Sequence, residues 1–118
     1  MLDLDRLIHE PGRLAILTVL SSVADADFLF LQRATGLTKG NLSSHLSKLE
    51  EAGLIEITKR FVRKKPNTSV AITELGRERT ARHWEQLEEL RASAQAVSRS
   101  QASQSARRSA SPSLVRPV

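Results

Sequence analysis

One stretch of this chain, residues 37–54, leaves the backbone little choice of conformation. Thr38 is an N-cap residue, whose hydroxyl can take one of the orphan N–H groups of a starting helix. Leu37 and Leu42 stand at N′ and N4, where two apolar side chains staple the entry of a helix. Asn41 occupies the place where a glutamate would complete a capping box. Leu42, Leu46 and Leu49 recur at i, i+4 and i+7, which puts one buried stripe along the helix. Gly53 follows Ala52 as a left-handed cap and turns Leu54 back toward Leu49. The spacing predicts a helix over 38–52, seated on a core by one face.

The segments before it are also helical. Leu2, Leu4, Leu7 and Ile8 predict a short opening helix. Pro11 suits the first turn of a second helix, where its missing N–H costs nothing. Leu14, Ile16, Leu17, Val19 and Leu20 make that helix nearly apolar, as a central core helix would be. Asp27 is an N-cap for a third helix, Phe28 to Thr35, ending at Gly36.

After Gly53 the period changes. Leu54, Ile55, Glu56, Ile57 and Thr58 are strand formers, continued by Phe61 and Val62. Arg63 to Asn67 reads as a loop, with Pro66 and Asn67 fitting a turn. Ser69, Val70, Ala71 and Ile72 form a second strand, which makes a hairpin. Thr73 then caps a long helix from Glu74 to about Ala96. Trp84, Leu87, Leu90, Ala94 and Val97 lie on it, the last four spaced 3-4-3 as on a helix that pairs with another. Arg82 with Glu85 and Glu88 with Arg91 make i,i+3 pairs on the outer face, where Glu89 also lies. From residue 98 onward Ser, Ala, Gln and Arg offer too little apolar surface to offset chain entropy. The division expected is one domain over 1–97 and a disordered basic tail over 98–118. No internal repeat is present.

The charge is unevenly placed. The net charge of +5 comes from two segments. Residues 54–73 carry Lys59, Arg60, Arg63, Lys64 and Lys65 against Glu56, and the last 26 residues carry four Arg and no acid. A concentrated cluster favours a polyanion more than the same charge spread evenly. The chain has no Cys, which excludes a disulfide, a thiolate metal site and a Cys nucleophile. No apolar run approaches the ~18 residues of a membrane span. Asp3 and Asp5 stand where a signal peptide would be basic. The expected location is the cytoplasm. His9, His45 and His83 fall on three different elements with no carboxylate at a ligand spacing, so neither a metal site nor a catalytic set is expected. Ser44 and His45 diverge by 100° on a helix and form no nucleophile–base pair. No enzyme activity and no cofactor is predicted.

The order helix, helix, short helix, capped helix, hairpin, long helix is mainly α with a small hairpin. The pair 28–35 and 38–52, joined by a tight Gly36-Leu37 link, has the form of a helix-turn-helix. The hairpin after it has the form of a wing. LIHEPGRLAIL (7–17), LTKGNLSSHLSKLEEAGLIEI (37–57) and VAITELGRE (70–78) together resemble winged-helix regulators of the MarR/ArsR type. The likeness is greatest to the small bacterial winged helix DNA-binding domain group. The resemblance implies a homodimer on duplex DNA, with the second helix of the motif in the major groove and the wing on the adjacent backbone or minor groove. It also implies that the terminal helix, with the N-terminal segment, builds the dimer contact; Leu4, Leu7, Trp84, Leu87, Leu90 and Ala94 are its candidates. A two-fold dimer would read an inverted repeat. An effector, if there is one, is not legible.

Stepping 100° per residue from the leucine stripe turns Gly40, Ser44, Ser47 and Glu51 outward and puts Asn41, Ser43 and Lys48 on the flanks. That face is slim, polar and free of acid before Glu50, as entry into the ~12 Å major groove requires. Thr38, Lys39 and Gly40 bring backbone N–H groups to a phosphate. Lys39 and Lys48 reach phosphates or guanine edges, Asn41 can pair with adenine, and Ser43, Ser44 and Ser47 can bond to bases or phosphates. The bland reading is a solvated helix face. In the wing, Arg63, Lys64 and Lys65 belong at the tip and Lys59 and Arg60 along the strand, where the alternative is a charged edge that blocks aggregation. A further alternative is a protein-interaction module whose cations meet an acidic partner.

Overall fold

The computed structural model describes residues 5–115, with side chains through residue 102. Its elements are α1 (Pro11–Leu20), β1 (Ala26–Asp27), α2 (Phe28–Thr35), α3 (Lys39–Glu51), β2 (Ile55–Val62), β3 (Lys65–Ile72) and α4 (Glu74–Val115). The caps explain most of these bounds. Asp27 accepts from Phe30 N–H at 2.7 Å and starts α2, which Gly36 closes at φ 73°. Thr38 accepts from Asn41 N–H and starts α3. At the other end Gly53 has φ 78°, Leu54 N–H donates to Leu49 C=O at 3.0 Å, and Gly53 N–H donates to Glu50 C=O at 2.9 Å. Those two bonds are the Schellman pair, a conformation that glycine adopts without a Cβ penalty. Thr73 Oγ1 accepts from Gly76 N–H and donates to Gly53 C=O, so one hydroxyl starts α4 and ties it to the end of α3.

The strands form one antiparallel sheet in the order β1-β3-β2. β2 and β3 pair from Ile55↔Ile72 out to Val62↔Lys65, and β1 adds Ala26↔Val70 and Asp27↔Ser69. One core binds the helices to the sheet. It contains Ile8, Ile16, Leu17 and Leu20 from the first half, Leu31 from α2, the stripe Leu42, Leu46 and Leu49 from α3, and Leu54, Ile55, Val70 and Ile72 from the hairpin. Burying an aliphatic side chain of this kind is worth roughly 1.5–3 kcal/mol, so the stripe alone fixes which face of α3 is left for solvent. One compact unit ends at Trp84 and a second begins at Glu85. In the second, Arg91 donates to Glu88 at 2.6 and 3.1 Å, one of the i,i+3 pairs expected on that face.

Four expectations are corrected. Residues 5–10 form a turn where an opening helix was expected, and residues 1–4 lie outside the described residues. The turn is held by Arg13 Nε donating to Leu7 C=O at 2.6 Å and by Arg79 donating to Asp5 at 2.7 and 2.9 Å. The sheet has a third strand, β1, too short to show a period. The wing turn is only Arg63-Lys64, and Pro66 and Asn67 belong to β3, opposite Phe61 and Arg60. Counted from the turn, Phe61↔Pro66 is a pair without ladder bonds, so the missing N–H of Pro66 costs the hairpin nothing. Finally, α4 runs to Val115, past the expected end near Ala96 and into the segment read as disordered from residue 98. Residues 98–111 contain no Gly or Pro, and beside six Ser they carry three Ala, three Arg and two Gln, which are good helix formers.

Candidate nucleic-acid interface

The face of α3 opposite the leucine stripe is open. Thr38, Lys39, Gly40, Asn41, Ser43, Ser44, Ser47 and Lys48 are all exposed, while Leu42, Leu46 and Leu49 are buried. A Cβ at Gly40 would meet nothing within 4 Å, so the helix start is bare on that side. Among residues 38–49 there is no acid. The surface therefore offers short donors and acceptors, two lysines at its flanks and the unpaired N–H groups of a helix N-terminus, all of which suit phosphates and base edges.

The hairpin projects beyond the core. Ile55 and Ile57 face the core, and the two-residue alternation of a strand carries Lys59 and Phe61 along the same face past its edge. Glu56, Thr58, Arg60 and Val62 occupy the other face. Lys59 and Arg60 thus point to opposite sides of the wing. Arg60 lines a shallow groove of about 370 Å³ with Asp25 and Asp27, which β1 brings alongside β3, and a second groove with Glu56 and Asp25. Arg63 and Lys64 form the turn with φ of 52° and 67°, both in the left-handed region. A two-residue hairpin turn needs that conformation, and Asn-Gly supplies it with less strain than Arg-Lys. Phe61 is 76% exposed beside the tip, where it opposes Pro66. Its strand position was legible, but its exposure follows from how far β2 extends beyond the core.

A family model described as a winged helix DNA-binding domain matches residues 13–91. The chain belongs to that family. It is 38% identical over 72 residues to an uncharacterised protein of Methanocaldococcus jannaschii, a match spanning 61% of this chain and 78% of the relative. A transcriptional regulator homologue from Pyrococcus horikoshii superimposes with a TM-score of 0.71 at 32% identity, covering 75% of this chain and 88% of that one. The repressor CouR, solved on a 23-mer DNA duplex, superimposes at 0.63 with 18% identity over 90% of this chain and 74% of its own. That last likeness is one of fold.

In this winged helix the histidines have partners that sequence spacing did not reveal. His45, on α3, has a side chain 17% exposed. Its Nε2 lies 3.5 Å from Glu10 Oε2, and its Nδ1 lies 3.3 Å from Arg13 Nη1. Burial alone would raise the Glu10 carboxyl, but N–H groups of Arg13 and Gly12, with the neighbouring His45 ring and Arg13 guanidinium, hold it below its ordinary value of 4.5. His9 and His83, 74 positions apart, meet at 3.3 Å. The three histidines lie on three different segments as expected, and folding brings His9 to His83 and His45 to Glu10, approaches that sequence spacing does not encode. Among the described residues no group of three His, Cys, Asp or Glu side chains is placed to hold a metal ion. Among them, too, no helix is long and apolar enough to cross a membrane.

Of the residues expected at a dimer contact, Leu4 lies outside the described residues. Leu7 packs partly against the core of its own chain. Trp84 is 47% exposed at the end of the first unit. In the second unit Leu87 is half-buried, Leu90 is 46% exposed and Ala94 is exposed.

Proposed function

We propose that this chain is a sequence-specific, double-stranded DNA-binding transcriptional regulator that acts as a homodimer. α3 enters the major groove and reads base edges through Asn41, Ser43, Ser44 and Ser47. Thr38, Lys39, Gly40 and Lys48 hold the flanking phosphates. The wing, through Lys59, Arg60, Arg63, Lys64 and Lys65, lies on the backbone or minor groove beside it. The observation that carries this is the slim, exposed face of α3, free of acid over residues 38–49 and followed in the chain by a projecting hairpin with five cations. Family membership and the likeness to regulators support it. In a two-fold dimer the two α3 helices meet successive major grooves about 34 Å apart, so the site is an inverted repeat.

Selection from a random duplex pool at about 50 and about 200 mM salt tests the proposal. Each neutralised phosphate contributes roughly −0.9 to the slope of log affinity against log salt. Enrichment of a palindrome with a steep slope supports it, and no retention at the lower salt rejects it.

A further inference from the structure

The apolar stripe of α3 sets which face is exposed, but hydrophobic contact is non-directional and fixes the roll of the helix only coarsely. Short side chains such as Ser and Asn cannot compensate for roll, since hydrogen bonds tolerate a spread of only about 0.5 Å. A reading helix of this composition needs a directional seat, and His45 has the geometry of one. Thr38 bonds within its own first turn of α3, whereas His45 reaches another element. Arg13 Nη1 can only donate, so Nδ1 of His45 accepts and the ring proton sits on Nε2, facing Glu10. Glu10 is itself fixed as the N-cap of α1, accepting from Arg13 N–H at 2.8 Å. Arg13 is fixed in turn through its bond to Leu7 C=O. The ring also lies flush on the α1 backbone. A Cβ built on Gly12 would stand 2.7 Å from His45 Nε2 and 2.9 Å from Cδ2, closer than real Cβ contacts come, and 3.2 Å from Glu10 Oε2.

We propose that His45 is a positioning residue that keys α3 to the N-terminus of α1, so that Glu10, Gly12 and Arg13 set the angle at which the reading face meets DNA. This rests on the DNA-binding reading above. None of the four residues belongs to the exposed face of α3, so they act on sequence discrimination through the seat of the helix. Gly12 is the position that makes the seat testable. Alanine there adds a methyl against the ring and touches no group that faces DNA.

The test is a double-mutant cycle of Gly12→Ala and His45→Ala, with His45→Gln as the conservative variant. Each is measured by chemical unfolding and by affinity for the pool-selected duplex and for an unrelated duplex of equal length. Each single alanine variant is expected to lower the ratio of specific to non-specific affinity about tenfold, the worth of one good base contact, with the salt slope unchanged. The double variant is expected to be no worse than His45→Ala, because the added methyl no longer meets a ring and the Glu10 carboxylate, at the end of a flexible side chain, can shift by the few tenths of an ångström needed. Gln keeps an N–H toward Glu10 but places no acceptor at the Nδ1 position, so it recovers part of the ratio. Additive effects in the cycle would overturn the seat. A His45→Ala variant that loses stability but keeps the ratio would overturn the positioning role. Wild-type protein that binds no duplex at all would overturn the DNA reading and this role together, and non-additive unfolding would then separate that failure from a failure of the seat.

Discussion

Ser44 stands at the middle of the exposed face of α3, two turns from either cap. A carboxylate there would meet phosphates and base acceptors, and it has no neighbour within the fold to disturb. Ser44→Glu is therefore expected to abolish duplex binding and leave far-UV circular dichroism unchanged; lost helicity would show that the face is misassigned. His83 offers a second test at this scale. The ring is 1% exposed, and among the described residues its Nδ1 has no hydrogen-bond partner. Burial lowers its affinity for a proton and His9 lowers it further, while Asp5, paired to Arg79, opposes them. The neutral ring is thus favoured in the folded chain. Above its ordinary value of 6.5 both states are neutral and nothing is lost. As pH falls through 6.5 the unfolded chain takes a proton that the folded chain resists, and stability falls until the folded pKa is passed. Unfolding midpoints from about pH 7.5 to about 5.0 should fall in the wild type and fall less in His83→Phe; equal slopes would contradict this. Thr38, Asp27 and Gly53 were readable because capping acts within four residues. His9–His83 and His45–Glu10 were not, because nothing local encodes an approach across the chain.

The wing illustrates what an element can and cannot disclose. Its strands follow from residue type, but its turn does not: Pro66 and Asn67 are turn residues, and the ladder nevertheless runs through them to Val62↔Lys65. That register forces Arg63 and Lys64 into positive φ, which costs of order 1–3 kcal/mol each. Asn-Gly fits the same turn without that cost. The double substitution Arg63→Asn with Lys64→Gly should raise stability by about 1 kcal/mol in thermal or chemical unfolding. It should also weaken every duplex alike and flatten the salt slope by about 2, one for each lost cation. Greater stability with an unchanged slope would place the tip away from phosphate. β1 was missed because two residues cannot show a period of two. The end of α4 was misjudged because weak burial was taken as absence of helix, whereas helix propensity does not depend on an apolar face.

For the molecule as a whole, the order of elements from α1 to α4, β1 apart, and the exposed face of α3 were legible, and the proposed dimer rests on a spacing alone. Leu90 and Val97, 46% and 57% exposed, lie on that spaced series within the second unit. A single chain supplies only half of such a contact. Leu90→Glu with Val97→Glu should convert a dimer to a monomer in sedimentation velocity. It should also lower affinity for the inverted repeat by about 100-fold or more while sparing a half-site, since the second contact ceases to be intramolecular. A monomeric wild type, or an unaffected inverted repeat, would contradict the dimer. The most direct measurement of all is a backbone amide NMR titration of the intact protein with its selected duplex. Shifts concentrated in residues 38–48 and 59–67 are the expected result. Shifts that leave both segments silent, or that gather on another surface, would show that α3 and the wing are not where this protein meets DNA.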